Sequence, residues 1–251
     1  DLITTGTIHM IALSGYNVTI LADIMRDFFV DIVGLGVRFA NIAGAFGIVF
    51  FVLLTGLQSS AVRAGVMALV AIFARVDGRP YNAFRALVFA GFLMLLYNPK
   101  YLVYDVSFQL SFLATLGIIF ITPVLERKFA RVPKKFLFFI PLRDALAVTL
   151  GAQIGVYPLI LYKMGTLSLI SLPANIMILP VVPYAMGFGM LASFFSYIAS
   201  TIAIPFGYVT HILLSYVKFF VTFFAGIPYA SIVFHRVPLF FCFSFYFLII
   251  F

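Results

Sequence analysis

Long apolar segments alternate with short polar ones along nearly the whole chain. A membrane-spanning helix needs about 20 apolar residues, and six segments approach or reach that length: 2–22, 32–54, 60–76, 82–98, 104–124 and 144–162. A longer apolar region, 166–226, and an apolar tail, 237–251, follow them. The pattern predicts an all-α fold, a polytopic transmembrane helix bundle of about 8–10 spans.

The apolar region 166–226 contains the sequence SLPANIMILPVVPY, in which Pro173, Pro180 and Pro183 disfavour a continuous regular helix. The sequence leaves open whether this region crosses the membrane two or three times. Broken helices at membrane depth occur where the irregular backbone is buried in protein or borders a cavity. We therefore predict at least one proline-broken helix near a polar path, with Asn175 either capping freed backbone groups or facing the cavity.

Composition agrees with a membrane protein and excludes a soluble domain, since 64% of the 251 residues are hydrophobic and only 10% are charged. The chain opens at Asp1 without an initiator methionine. We therefore expect a piece of a longer protein, with one membrane domain over 1–251. The single cysteine, Cys242, excludes an intrachain disulfide, and three scattered histidines predict no metal site and no cofactor.

The net charge of +8 is concentrated in one loop rather than spread over the chain. Residues 126–143 hold six basic side chains against one acidic one. Cytoplasmic loops of membrane proteins carry such an excess of Lys and Arg. The loop is therefore predicted to be cytoplasmic, with 75–81 on the same side and with 55–60 and 99–104 on the outer side.

Polar side chains inside predicted spans are candidates for function, because an ionisable group at the bilayer centre costs about 2.5–3.5 kcal/mol. Those in this chain are His9, Ser14, Asn17, Arg38, Asn41, Arg63, Arg85, Asp105, Ser107, Gln109, Ser111, Thr149, Gln153 and Asn175. Some recur at the spacing of one helical turn. Asp105 and Gln109 form one such pair, and Thr149, Gln153 and Tyr157 form a stripe that we expect to face water or another polar helix.

Arg63 follows the sequence LQSS, where Ser59 or Ser60 is predicted to cap a helix that begins there. Arg63 would then lie in the first turn, near the outer face. Two roles are open for it. One is a membrane anchor whose side chain extends to the lipid headgroups, and the other is an anion contact beside the free backbone amides of the helix N-terminus.

Six blocks in order resemble the competence domain of the ComEC family of bacterial DNA-uptake proteins. The blocks are HMIALSGYN (9–17), SSAVRAGVMAL (59–69), GRPYNAFRALVFAGFLMLLYNP (78–99), DVSFQLSFLATLGI (105–118), AQIGVYPLILY (152–162) and GTLSLISLPANIMILPVVP (165–183). In the first block Asn17 stands where the family usually has a second histidine. The resemblance fades after residue 195.

The resemblance implies a multi-pass protein of the bacterial inner membrane that passes single-stranded DNA into the cytoplasm during natural transformation. Its implied partners are the lipid bilayer, other DNA-uptake proteins, and the soluble domains that commonly accompany the membrane domain. The oligomeric state stays open. The residues predicted to contact the strand are His9, Ser14, Asn17, Arg63, Asp105, Gln109, Gln153 and Asn175.

Two other functional classes are alternatives to a membrane channel for single-stranded DNA. A secondary transporter of small solutes or ions would use Asp105 and His9 for proton coupling, with substrate bound at the proline break. An intramembrane hydrolase would need a serine activated by a base. His9 and Ser14 are five residues apart and fall on nearly opposite sides of a regular helix, so the sequence predicts no catalytic residues and no enzyme.

Overall fold

The structure is a computed structural model that describes residues 28–32, 34, 36–129, 142–168, 170–227, 231–233 and 244–246. After a π-helical turn at Phe28–Ile32, it contains ten α-helices and two short strands in these ranges. They are α1 Val37–Leu54, α2 Ser59–Val76, α3 Ala83–Tyr97, α4 Tyr101–Tyr104, α5 Val106–Phe120, α6 Thr122–Lys128, α7 Leu142–Met164, β1 Thr166–Ser168, α8 Ser171–Ile178, α9 Val182–Ile198, α10 Ser200–Ala225 and β2 Ser231–Val233.

The described residues form two units whose boundary falls inside α5, between Phe112 and Leu113. In the N-terminal unit, α2 packs against both α1 and α3. Small residues permit the first of these contacts, since a Cβ on Gly65 would come within 2.7 Å of Val52. Ile48, Val52 and Ala64 form the buried core between α1 and α2.

The start of α2 differs from the prediction. Gln58 occupies the N-cap position, and no side chain caps the helix there. Ser59 is the first helical residue, and its hydroxyl has no hydrogen-bond partner in the described part of the chain. The predicted cap by Ser59 is therefore wrong, and Arg63 is the fifth residue of the helix, one residue deeper than a Ser59 cap would place it.

In the C-terminal unit, α7 is the central helix, and α6 and α8 both contact it. The crossing of α5 and α7 brings backbone against backbone at Gly117, Gly151 and Gly155. A Cβ on Gly117 would overlap the carbonyl oxygen of Gly151, and one on Gly155 would come within 2.5 Å of the carbonyl oxygen of Leu113. Small residues at this spacing are the usual means of close helix approach in membranes.

The predicted interruption of the helix in region 170–185 is present in the structure. Helix α8 ends at Ile178, α9 begins at Val182, and the two are bent by 45°. Pro180 lies in the gap, and Pro183 is the second residue of α9. Proline fits both places because neither requires the backbone N–H that it lacks.

Two three-residue strands bracket the helices α8, α9 and α10. β1 and β2 pair antiparallel, with Thr166 opposite Val233 and Ser168 opposite Ser231. The intervening helices α9 and α10 pack against each other along their length, and α10 also contacts α8. The described strands that precede α8 and follow α10 are therefore hydrogen-bonded neighbours in the fold.

The helix lengths confirm a helical multi-span membrane protein. Three helices, at Ser59–Val76, Leu146–Met164 and Ser200–Ala225, are long and apolar enough to cross a membrane, and two bent helix pairs raise the total to five if each is one span. Large apolar side chains remain exposed, Phe46 at 73% and Leu96 at 71% among them, as expected where lipid is the solvent. Two predicted spans, 2–22 and 237–251, lie outside the described residues except for 244–246, so the count of 8–10 stays a prediction.

Candidate functional site

A group of polar contacts in the described part of the C-terminal unit lies between α7 and α8, centred on Ser171. The Gln153 amide donates to the Ser171 hydroxyl at 2.8 Å, and the Tyr157 hydroxyl lies 3.2 Å from the same oxygen. Ser171 itself donates to the carbonyl of Ser168 at 3.1 Å. Because a serine hydroxyl carries one proton, Ser171 accepts from both Gln153 and Tyr157.

Thr149 and Asn175 lie one helical turn beyond this group, on the same two helices. Thr149 precedes Gln153 by four residues, and Asn175 follows Ser171 by four. Thr149 is 5% exposed and Asn175 is 2% exposed. Thr149 Oγ1 and Asn175 Oδ1 have no hydrogen-bond partner among the described residues. We call these five residues, Thr149, Gln153, Tyr157, Ser171 and Asn175, the polar seam.

The polar seam agrees with one sequence prediction and corrects another. The stripe on α7 faces another polar helix, as predicted. The suggestion that the Asn175 side chain caps freed backbone groups is wrong within the described chain, where its Oδ1 has no hydrogen-bond partner and the Leu179 N–H bonds at 2.9 Å to the Asn175 backbone carbonyl instead. Leaving a buried polar atom unpaired costs about 1–3 kcal/mol, so both Asn175 and Thr149 call for an explanation beyond packing.

Arg63 is the centre of a second polar group, in the N-terminal unit. Its Nε donates to the hydroxyl of Ser111 on α5, and its Nη1 lies 3.4 Å from the sulfur of Met67. Arg63 is only 8% exposed. The membrane-anchor role is therefore not what the structure shows, because an anchoring arginine would extend its guanidinium toward the headgroups. The described residues offer this buried cation no carboxylate within ion-pair distance.

Tyr81 lies close to Arg63, in the segment between α2 and α3. Partial burial raises the pKa of the Tyr81 hydroxyl, and the positive charge of Arg63 acts in the opposite direction. With its pKa raised, the phenol stays neutral at physiological pH and supplies no negative charge to Arg63. The charge of Arg63 is thus left to be balanced by something other than its described neighbours.

Asp105 and Gln109 form hydrogen bonds to backbone groups around the junction of α4 and α5, and they do not form one polar face of a helix. Asp105 separates α4 from α5, and its carboxylate accepts the N–H of Phe108 at 3.0 Å, as an N-terminal helix cap does. The Gln109 amide donates to the carbonyls of Leu102 and Val103 at 2.7 and 3.0 Å. The interpretation of Asp105 as a residue inside the span 104–124 is therefore wrong, because the apolar residues YLVY form a separate short helix before it.

Substitutions at Asp105 distinguish a helix cap from a proton carrier. Asp105→Asn keeps a cap-forming oxygen, so we expect wild-type stability and activity, whereas Asp105→Ala should destabilise the protein by about 1 kcal/mol. Thermal unfolding in detergent and transport in cells measure the two effects. A proton carrier would behave differently, since Asp105→Asn would then abolish transport while leaving the melting temperature unchanged.

Several predicted residues lie outside what the structure describes. His9, Ser14 and Asn17 are among them, and so is most of the basic loop, at 130–141. The side chain of Arg38 is likewise undescribed, and Arg85 is exposed near the start of α3. Their predicted roles stay predictions.

Sequence reasoning missed the roles of four residues that the structure brings into contact. Ser171 received no role, although it is the acceptor that joins Gln153 to Tyr157. Ser111 was named only among the polar side chains inside predicted spans, without its contact to Arg63. Gly151 and Gly155 were not singled out, although the spacing GAQIG is a recognised signal of close helix packing. In the described residues there is no group of three or more His, Cys, Asp or Glu side chains that could hold a metal ion.

These observations define a class of protein, a helical multi-span membrane protein with polar side chains paired across its helices. A family model described as Competence protein matches residues 1–251, so the chain belongs to the Competence protein family. It is 29% identical over 168 residues to ComE operon protein 3 of Bacillus subtilis (strain 168), an alignment that covers 66% of this chain and 20% of that relative. The match therefore involves about a fifth of the relative's length. No solved structure matches the chain.

Proposed function

We propose that this chain is the membrane part of a protein that passes one strand of DNA across the bacterial inner membrane during natural transformation. Membership of the Competence protein family supports a role in DNA uptake. The helices long enough to cross a membrane supply the setting for such a path. The proposal assigns transport, and no chemical step, to this part of the protein.

The observation that carries the proposal is the buried guanidinium of Arg63. Its Nε and Nη1 are used within the unit, and no described carboxylate balances its charge. An arginine has five N–H donors in a planar fork that matches phosphate geometry. A phosphate of the strand would supply the missing negative charge, and Ser111 and Met67 would hold the fork in a fixed orientation to receive it.

The remaining candidates are uncharged apart from Asp105, which caps α5 and whose negative charge would repel a phosphate. Gln153 and Asn175 belong to the polar seam, and Gln109 holds the loop 99–104. His9, Ser14 and Asn17 remain proposed strand contacts in the first block of the family pattern. We further propose that the bilayer here is the inner membrane and that other uptake proteins and flanking soluble domains act with this one.

The direct test is uptake of labelled DNA by cells that express the protein with and without substitutions at the proposed contacts. The amount of folded protein in the membrane must be matched between strains. Internalised strand that becomes resistant to external nuclease is the readout. Uptake unchanged by removal of the protein would overturn the proposal.

The transporter alternative is weakened by the contacts of Asp105. A proton-coupling carboxylate needs a change of protonation during the cycle, yet this one is engaged in capping a helix. The Asp105→Asn measurement described above decides between the two.

The sidedness of the basic loop gives an independent prediction. Its ends are held together, since Arg143 donates to the backbone carbonyl of Glu126, and its excess of basic residues predicts a cytoplasmic position. A cysteine introduced by Lys134→Cys, in a Cys242→Ser background, should resist an impermeant thiol reagent added to intact cells. Lys100→Cys, in the loop predicted to lie outside, is the matched control that should react.

Labelling of Lys134→Cys from outside, with Lys100→Cys protected, would invert the topology. Permeabilised cells should show both positions labelled, which controls for burial of the introduced thiol.

A further inference from the structure

The side-chain polar atoms of the polar seam are hydrogen-bonded at one end of the seam, and two of them are unpaired at the other. At the Ser171 end, three polar side chains share two hydrogen bonds, and the Ser168 carbonyl takes the remaining proton. At the other end, Thr149 Oγ1 and Asn175 Oδ1 are fully buried and make no hydrogen bond within the described chain. A threonine within a helix commonly donates to a carbonyl of the preceding turn, and Thr149 does not do so.

The buried unpaired atoms disfavour the packed arrangement of α7 and α8. Exposure of Thr149 and Asn175 to water or to a polar substrate would satisfy both oxygens, and membrane proteins place such side chains toward a path or cavity by preference. The contacts of Ser171 favour the packed arrangement. The unpaired oxygens and the contacts of Ser171 therefore have opposite effects on the packing of α7 against α8. A modest change in either could shift the seam between a closed and an open arrangement.

The backbone on both sides of the seam has points at which it can bend. Pro158 lies inside α7 one residue after Tyr157, and its missing N–H removes one hydrogen bond from the helix. Helix α8 is only eight residues long and is followed at once by the bend of 45° into α9. Either helix can thus change direction close to the seam without unfolding.

We infer that α7 and α8 separate along the polar seam during transport, and that the opened seam contacts the transported strand. Gln153, Tyr157 and Ser171 form the latch that keeps the seam closed. Thr149 and Asn175 become the lining when it opens. This inference rests on the proposed function for the identity of the cargo, but the opening itself can be measured without DNA.

The chemistry of the lining defines what it contacts. All five side chains of the polar seam are neutral hydrogen-bonding groups, so they suit the uncharged base edges and sugars of a nucleotide. Phosphate would require positive charge, which the seam itself does not contain. Neutral contacts of this kind hold a moving strand weakly and independently of salt, which favours passage over retention.

Thr149→Val tests whether the unpaired hydroxyl serves transport. Valine keeps the shape and removes the buried unpaired group, so the closed state should become more stable and the melting temperature should rise. Uptake of DNA should fall severalfold because the seam opens less often and loses a lining group. A raised melting temperature with unchanged uptake would overturn the inference.

Thiol labelling tests the opening directly. In a Cys242→Ser background, Thr149→Cys should react with a small polar thiol reagent, whereas Ala147→Cys should not. Ala147 is a matched control because it is fully buried on the same helix and its carbonyl accepts from Thr122 on α6, away from the seam. Adding Gln153→Ala should raise the labelling rate of Thr149→Cys about fivefold, since it removes one neutral hydrogen bond from the latch.

The outcomes separate the two proposals. Labelling that depends on Gln153 in a protein that takes up no DNA would keep the opening and remove the DNA proposal. Normal DNA uptake with equal, latch-independent labelling of Thr149→Cys and Ala147→Cys would keep the DNA proposal and remove the opening.

Discussion

Gly117→Ala should remove most of the folded protein from the membrane. A single methyl group at this position would overlap the carbonyl oxygen of Gly151 on α7. Because the obstacle is backbone rather than a flexible side chain, α5 and α7 would have to move apart. Overpacking of this kind costs about 1–3 kcal/mol, and we expect the upper end here. Detergent extraction followed by size-exclusion chromatography and thermal melting measures the loss.

Two glycines in the same unit provide controls for this prediction. A Cβ on Gly207 would meet no atom within 4 Å, and one on Gly189 would lie at an ordinary 3.6 Å from Thr210. Gly207→Ala and Gly189→Ala should therefore leave the yield unchanged or raise it slightly, as alanine is the better helix former. Equal losses for all three substitutions would show that the α5–α7 crossing has no special importance.

Arg63→Ala should lower DNA uptake by about 10- to 100-fold, the range expected when a hydrogen bond to a charged group worth about 1.5–3 kcal/mol is lost. Arg63→Lys should give an intermediate value. An ammonium retains the charge but has neither the second branch of the fork nor its fixed plane. With one of its three N–H groups on Ser111, the other two diverge and do not form the parallel, coplanar pair that a phosphate accepts from a guanidinium. Uptake per folded protein in the membrane is the quantity to compare.

Two further variants distinguish between two roles of Arg63, an anion contact and a link between α2 and α5. Arg75→Ala removes an exposed arginine from the same helix and should have little effect. Ser111→Ala removes the described partner of the Arg63 Nε but leaves the guanidinium in place, so uptake should fall less than with Arg63→Ala. If Ser111→Ala reproduced the full defect, Arg63 would serve α2–α5 packing, and the phosphate role would be lost.

In the described chain, the sequence predicted the helix bounds correctly where the hydropathy pattern and the helix-breaking residues place them at the same positions. Predicted spans at 60–76, 82–98 and 144–162 correspond to α2 at Ser59–Val76, α3 at Ala83–Tyr97 and α7 at Leu142–Met164. The span 104–124 was less accurate. Asp105 lies among apolar residues, so hydropathy alone does not show that its carboxylate ends one helix and caps the next.

The partners of the candidate residues could not be predicted from one sequence. Arg63 and Ser111 are 48 residues apart, and Gln153 and Ser171 are 18 apart, so only the tertiary fold brings them together. Helical spacing did predict that Thr149, Gln153 and Tyr157 share a face. It carried no information on which helix that face meets, nor on which polar atoms remain unpaired there.

The pairing of β1 with β2 determines whether the chain between them crosses the membrane an even or an odd number of times. Strands that share hydrogen bonds lie on the same side of the membrane, so the chain between Ser168 and Ser231 crosses it an even number of times. Helix α10, with 26 residues, is long and apolar enough to supply one crossing. An even number then requires the bent pair α8–α9 to supply the other, which predicts a complete span rather than a re-entrant loop. We therefore expect two crossings, not three, for 166–226, with the junction at Ala199 on the same side as the basic loop.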